Sequence, residues 1–155
     1  MNIAYIQSLH SLVWSYRKRL SNLWPTPNRE DSLAFAFTEI GEAVDAQLRQ
    51  NPVYNRNHDK NVDVESELAD CLIMLLTAMG DQFSWRTSSW NWHYESCMLG
   101  LETIAFQVVE ALIANNGYVG DAVESIILVW EWQSDIYITV KDRLDRIEKR
   151  VTCTS

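Results

Sequence analysis

The sequence predicts an all-α protein, a bundle of about five helices. Three observations carry this expectation. Apolar residues recur at three- and four-residue steps through most of the chain, the period of a helix with one buried face. Gly and Pro number only 5 and 3, too few for the many turns of an all-β domain. Apolar residues make up 47% of the 155 and charged residues 22%, enough core for one domain and unlike a disordered composition.

The first helix is expected over residues 3–23, where Ile3, Ile6, Leu9, Val13, Tyr16 and Leu20 share a face. Trp24-Pro25-Thr26-Pro27 ends it, because proline blocks continuation and disfavours helix in the residue before it. Asp31 or Ser32 caps a second helix that runs to about Arg49. Asn51-Pro52 opens a polar loop, and Asn61 or Asp63 caps a third helix reaching about Phe83. A Trp- and Ser-rich connection covers residues 84–92. A fourth helix spans residues 94–114 and stops at Asn115-Asn116-Gly117. The fifth segment runs from about Gly120 toward Lys149, with a break near Ile136-Tyr137-Ile138. That β-branched stretch also fits a short strand, but one strand would lack a partner. No linker divides the chain, so residues 1–155 read as one domain.

The 13 Lys and Arg against 21 Asp and Glu give a net charge of −8, which speaks against a general nucleic-acid-binding surface. No run approaches the roughly 18 apolar residues of a membrane helix, and no basic segment precedes an apolar one at the N-terminus. Cys71, Cys97 and Cys153 are widely spaced and form no CxxC pattern, so a reduced, cytoplasmic setting is the simplest reading.

The informative residues are four acids. Glu39 and Glu42 are three apart on the second helix, as are Glu67 and Asp70 on the third, so each pair projects from one face. Around Asp70 stand Leu68, Ala69, Cys71, Leu72, Ile73, Met74, Leu75 and Leu76. At about 100° per residue these cover nearly the whole circumference, and a helix apolar all round is usually buried. Glu39 likewise lies among Phe35, Ala36, Ile40, Ala43 and Ala46. Ordinary surface acids would not be embedded in this way. Buried carboxylates must be neutralised or paired, and neither helix puts a basic residue beside Asp70. A divalent cation is the alternative, since Mg²⁺ and Mn²⁺ prefer oxygen ligands and Mg²⁺ commonly joins carboxylates to substrate phosphates.

These residues resemble the MazG-like all-α nucleoside triphosphate pyrophosphohydrolases. The family pattern E-x-x-E then E-x-x-D stands here as Glu39-Ile40-Gly41-Glu42 and Glu67-Leu68-Ala69-Asp70. Their surroundings are similar to the family's helices, and Trp24 with Pro27-Asn28 looks like the approach segment of several members. The likeness covers roughly residues 20–82. It implies that Glu39, Glu42, Glu67 and Asp70 bind Mg²⁺ (Mn²⁺ being an alternative), and that NTP and water give NMP and pyrophosphate. It also implies a homodimer or homotetramer and a role in clearing unwanted or surplus nucleotides. Glu39 or Glu42 would orient or deprotonate the water. Arg56 and Lys60, with Arg49, are candidate phosphate partners, and Trp24 is a candidate base stacker. For each, an ordinary surface or core role competes.

The second half departs from the family pattern. It lacks a basic tail and instead adds apolar helices. Gln107-x-x-Glu110 and Asp121-x-x-Glu124 faintly echo the two acid pairs, as if residues 99–135 were a faded copy of 31–83. His10, His58 and His93 share no ligand spacing, so surface or capping roles are expected. Among seven tryptophans, Trp90 and Trp92 are candidates for a subunit contact or a base-facing lid. The competing function is a catalytically inactive helical oligomerisation or interaction module that kept the bundle and lost turnover.

Overall fold

A computed structural model describes residues 3–50, 63–86, 100–113, 119–130, 132 and 134–153. Among them are six helices and no strand: α1 (Ile3–Arg19), α2 (Arg29–Gln50), α3 (Val64–Ala78), α4 (Leu101–Ile113), α5 (Val119–Val129) and α6 (Ile136–Cys153). The expected helical bundle is present, with six helices rather than five. The extra one comes from the expected fifth segment, which divides in two. The Asp135 carboxylate accepts from the backbone N–H of Tyr137 at 2.8 Å and of Ile138 at 3.4 Å. Residues 136–138 therefore begin a capped helix and not a strand.

Helix ends differ from expectation for local reasons. α1 stops at Arg19 rather than near residue 23, because the N–H groups of Leu23 and Trp24 both turn back to the Leu20 carbonyl. The chain becomes helical again as soon as the two prolines are passed. Asn28 caps α2, accepting from the Asp31 N–H at 2.7 Å, so neither Asp31 nor Ser32 is the cap. Ser32 is instead buried, its hydroxyl donating to the Asn28 carbonyl. Asp63 caps α3 as one of the two expected candidates, through the Glu65 N–H. α3 ends at Ala78, short of Phe83, because Gly80 takes a left-handed φ of +83° and returns its N–H to the Thr77 carbonyl. The loop after α2, the start of the expected fourth helix and its Asn-Asn-Gly stop lie outside the described residues.

α3 is the centre of the bundle. It packs against α1, α2, α5 and α6, and its longest contact is with α2. Leu68, Ala69, Leu72, Leu75 and Leu76 have no exposed surface, so its apolar circumference is covered on every side. α4 lies against α2 and α5. Polar contacts tie the first helix to the middle and last ones. Trp14 Nε1 donates to the Leu76 carbonyl at 3.2 Å and His10 Nε2 to the Gly80 carbonyl at 2.7 Å. Arg19 grips Glu148 of α6 with two bonds, at 3.0 and 2.9 Å, and the Tyr16 hydroxyl donates to Asp145. No helix among the described residues is long and apolar enough to cross a membrane.

Two glycines separate backbone strain from helix propensity. At both Gly80 and Gly41 an added Cβ meets open space. Gly80→Ala should lower stability by about 1 kcal/mol, the cost of a left-handed backbone for an L-residue. Gly41→Ala, inside α2, should raise it by about 0.5–1 kcal/mol. Urea unfolding of the two variants beside the parent checks both signs.

Candidate metal centre

Two helices bring three carboxylates together. Glu39 projects from α2 between the buried Ala36, Ile40 and Ala43. Glu67 and Asp70 project from the first half of α3, beside the buried Leu68, Ala69 and Cys71. All three acids are half-buried, and one oxygen from each lies within 4.8 Å of the others. Glu42 is exposed and stands outside this group, yet its charge still reaches Glu39 and Glu67.

The electrostatics follow from crowding. Loss of water pushes the Glu39 carboxyl up to about 7, and the charges of Asp70, Glu42 and Glu67 push the same way. Glu67 is raised by burial and then by Asp70. Arg143 opposes both shifts. The Cys71 thiol, buried beside Glu39 and Asp70, is held well above its ordinary range and is therefore an unreactive core group.

Arg143 is the residue the sequence did not reveal. It reaches across from α6 and holds both oxygens of Asp70, with Nε–Oδ1 at 2.9 Å and Nη2 on Oδ2. The expectation that no basic residue stands beside Asp70 is true of α2 and α3 but not of the folded chain. The partner comes from 73 residues further on. The signal for it was faint. Arg143 follows Val140 by three and precedes Ile147 by four, so it sits on the apolar stripe of an otherwise highly charged helix. Glu39 and Glu67 have no comparable basic partner among the described residues.

The three-acid cluster opens on a cavity of about 370 Å³ lined by Glu39, Asp70, Phe35, Met74, Trp24 and Arg17, among others. Trp24, expected as a base stacker, is thus a cavity wall. One face of its ring is occupied by Arg17, whose guanidinium lies 3.4 Å from the ring centroid. Arg17 is only 1% exposed. Its Nε donates to Thr77 Oγ1 at 3.3 Å and its Nη2 faces the Met74 sulfur at 3.5 Å. Its Nη1 is buried with no hydrogen-bond partner. Burial lowers its pKa to about 10, so the group stays charged at neutral pH. It was not among the expected site residues; its place on the Ile6–Leu9–Val13 face of α1 is the signal that could have found it.

Other expected site residues fall elsewhere. Arg49 closes α2 and pairs with Asp45 at 2.5 Å, one turn away. His10, for which a surface or capping role was expected, is instead buried, bonds the carbonyl of Gly80 and meets Phe83 edge-on. Gln107 is buried with an unpartnered Oε1 and Glu110 is exposed. The echoed pairs of the second half form no second acid cluster among the described residues. Arg56, Lys60, His58, His93, Trp90 and Trp92 lie outside the described residues. No protein-family model, curated protein or solved structure matches the chain.

The donor set fits a hard divalent cation. Carboxylate oxygens bind such ions at about 2.0–2.6 Å, so oxygens within 4.8 Å of one another can share one. The same crowding gives a pH prediction for the metal-free protein. The Glu39 carboxyl, raised from 4.5 to about 7 on folding, contributes stability that is complete below pH 4.5 and is lost as pH rises through about 7. Glu67 adds to that fall, while His10, whose pKa is lowered by burial, opposes it. Urea unfolding of the parent and of Glu39→Gln, at pH 5 and pH 8 with chelator, isolates the Glu39 share. The variant should gain on the parent at pH 8 and not at pH 5.

Proposed function

We propose that this protein is a Mg²⁺-dependent nucleoside triphosphate pyrophosphohydrolase of the MazG-like all-α class, converting NTP and water into NMP and pyrophosphate. The observation that supports it is the meeting of E-x-x-E and E-x-x-D carboxylates, Glu39 with Glu67 and Asp70, beside a cavity. Glu39, Glu67 and Asp70 would hold the ion, while Glu42, the fourth acid of the expected set, stands outside them. A bound Mg²⁺ supplies charge stabilisation on the phosphate oxygens and lowers the pKa of a water. Mn²⁺ offers the same chemistry. We assign to Glu42 the task of orienting or deprotonating the attacking water. It lies outside the three clustered acids but within electrostatic reach of them. Glu39 is the other acid the resemblance leaves open for that role. Trp24 walls the space that the sugar and base would enter. Arg56 and Lys60 remain the proposed phosphate partners from the loop before α3. The setting is a cytoplasmic one in which unwanted or surplus nucleotides are cleared. The resemblance also implies a homodimer or homotetramer, a reading supported by the exposed Phe35, Phe37 and Phe106 on the adjoining helices α2 and α4.

One observation favours the rival reading, an inactive helical interaction module. Arg143 already neutralises Asp70 with an internal cation. An enzyme must release that grip to load metal, whereas a module would keep it. Replacing Arg143 with Met tests whether the three acids bind metal. Arg143→Met costs about 1–3 kcal/mol of metal-free stability, the worth of charged hydrogen bonds, and tightens Mn²⁺ binding several-fold in calorimetry. Unchanged Mn²⁺ binding would remove these acids as the metal site.

Turnover decides the matter directly. Deoxy, ribo and modified nucleoside triphosphates are incubated with and without Mg²⁺, and pyrophosphate and orthophosphate are assayed separately. Metal-dependent pyrophosphate release is expected from at least one substrate, reduced on the order of 100-fold by Asp70→Asn, as for loss of one transition-state stabilising group. Release untouched by Asp70→Asn would move the reaction to another site. No release from any substrate would leave the module.

A further inference from the structure

We propose that Arg17 reads the base of the bound nucleotide, favouring a keto oxygen at purine C6 or pyrimidine C4 (guanine, hypoxanthine, uracil, thymine) over an amino group there (adenine, cytosine). The inference rests on the nucleotide reading of the same cavity and adds its selectivity. Three features carry it. Arg17 lines the same cavity as Glu39 and Asp70. It is 1% exposed, yet its Nη1 has no hydrogen-bond partner. Its guanidinium is fixed in plane by Thr77 and Met74 below and by the Trp24 ring at 3.4 Å.

Helix geometry sets the reach. Met74 and Thr77 follow Asp70 by four and seven residues, about 6 and 10 Å along the axis at 1.5 Å per residue. A nucleotide held by its phosphates at the acids extends its sugar and base along α3 toward Arg17. Trp24, Phe35 and Met74 line the wall there, with Arg150 also bordering the cavity. The apolar part of that wall offers contact to a flat ring. Nη1 is closed off beneath the Trp24 ring, so a base edge reaches it only if the indole shifts off the guanidinium.

Guanidinium chemistry sets the preference. Arginine only donates hydrogen bonds and has no acceptor. A keto oxygen accepts from Nη1 and removes the cost of a bare buried N–H. An exocyclic amino group would set donor against donor and leave both unsatisfied. This is the donor-acceptor logic by which arginine selects the O6 and N7 edge of guanine.

The test uses matched pairs that differ at this exocyclic group and at the proton on the adjoining ring nitrogen: inosine against adenosine monophosphate, and uridine against cytidine monophosphate. Their binding to the full chain is measured by calorimetry, together with that of inorganic pyrophosphate. The parent should prefer the keto member of each pair by about tenfold. Arg17→Met, checked for folding by circular dichroism, should erase the preference and leave pyrophosphate binding unchanged. The parent's preference alone tests the idea if the variant does not fold. No keto preference, a reversed one, or no binding of any of the four overturns it. So does a variant that weakens all four nucleotides and pyrophosphate alike, which would make Arg17 a phosphate reader. Turnover keeps the two ideas apart. Pyrophosphate release without keto preference refutes the role of Arg17 and spares the reaction. Keto preference without release does the reverse.

Discussion

The fold is organised by one conflict. α3 is apolar on all sides and is enclosed by α1, α2, α5 and α6, yet it carries Glu67 and Asp70 in its first half. Enclosing the helix is what makes the core, since its leucines and alanines lose essentially all contact with water. The same enclosure deprives the acids of solvent. Everything nearby responds to that. Arg143 is drawn onto Asp70, the Glu39 carboxyl rises to about 7, and a cavity remains where helices cannot close over charge.

Much of this was legible in the chain. The apolar wheel around Asp70 already said that α3 is buried, and the three-residue spacing already said that Glu67 and Asp70 share a face of it. Helix existence followed from period; helix ends did not. Asn28 displaced Asp31 and Ser32 as a cap because the prolines set where the backbone can first turn. Ser32 faces the core instead. Ala78 ended α3 because a single glycine took a left-handed backbone, a choice that hydrophobic period does not encode. The break in the last segment was visible, but its β-branched residues argued for a strand while Asp135, just upstream, fixed a helix.

What the sequence hid is long-range. Arg143 and Asp70 are 73 residues apart, and nothing local links them. Arg17 was missed as well, although it lies on the apolar face of α1, and only the fold shows that it borders the space beside Asp70. Both arginines do what local pattern cannot anticipate. They place fixed positive charge near a crowd of carboxylates, one as a direct partner and the other at a distance along α3. A cluster with both a bidentate cation and two acids left over is poised between a structural ion pair and a site for something that arrives from outside.

The ties between α1 and α6 have a consequence for how the chain is made. Arg19 and Glu148 are 129 residues apart, as are Tyr16 and Asp145. The pair α2–α3 emerges from the ribosome long before α6, so the nascent bundle holds its carboxylates uncompensated until the last helix arrives. Contacts of such separation close large loops and form late. The final helix therefore acts as a clasp, and a polypeptide halted before it would expose both an open apolar groove and an unanswered negative charge. Those are features that quality-control proteases and chaperones can recognise in an unfinished chain.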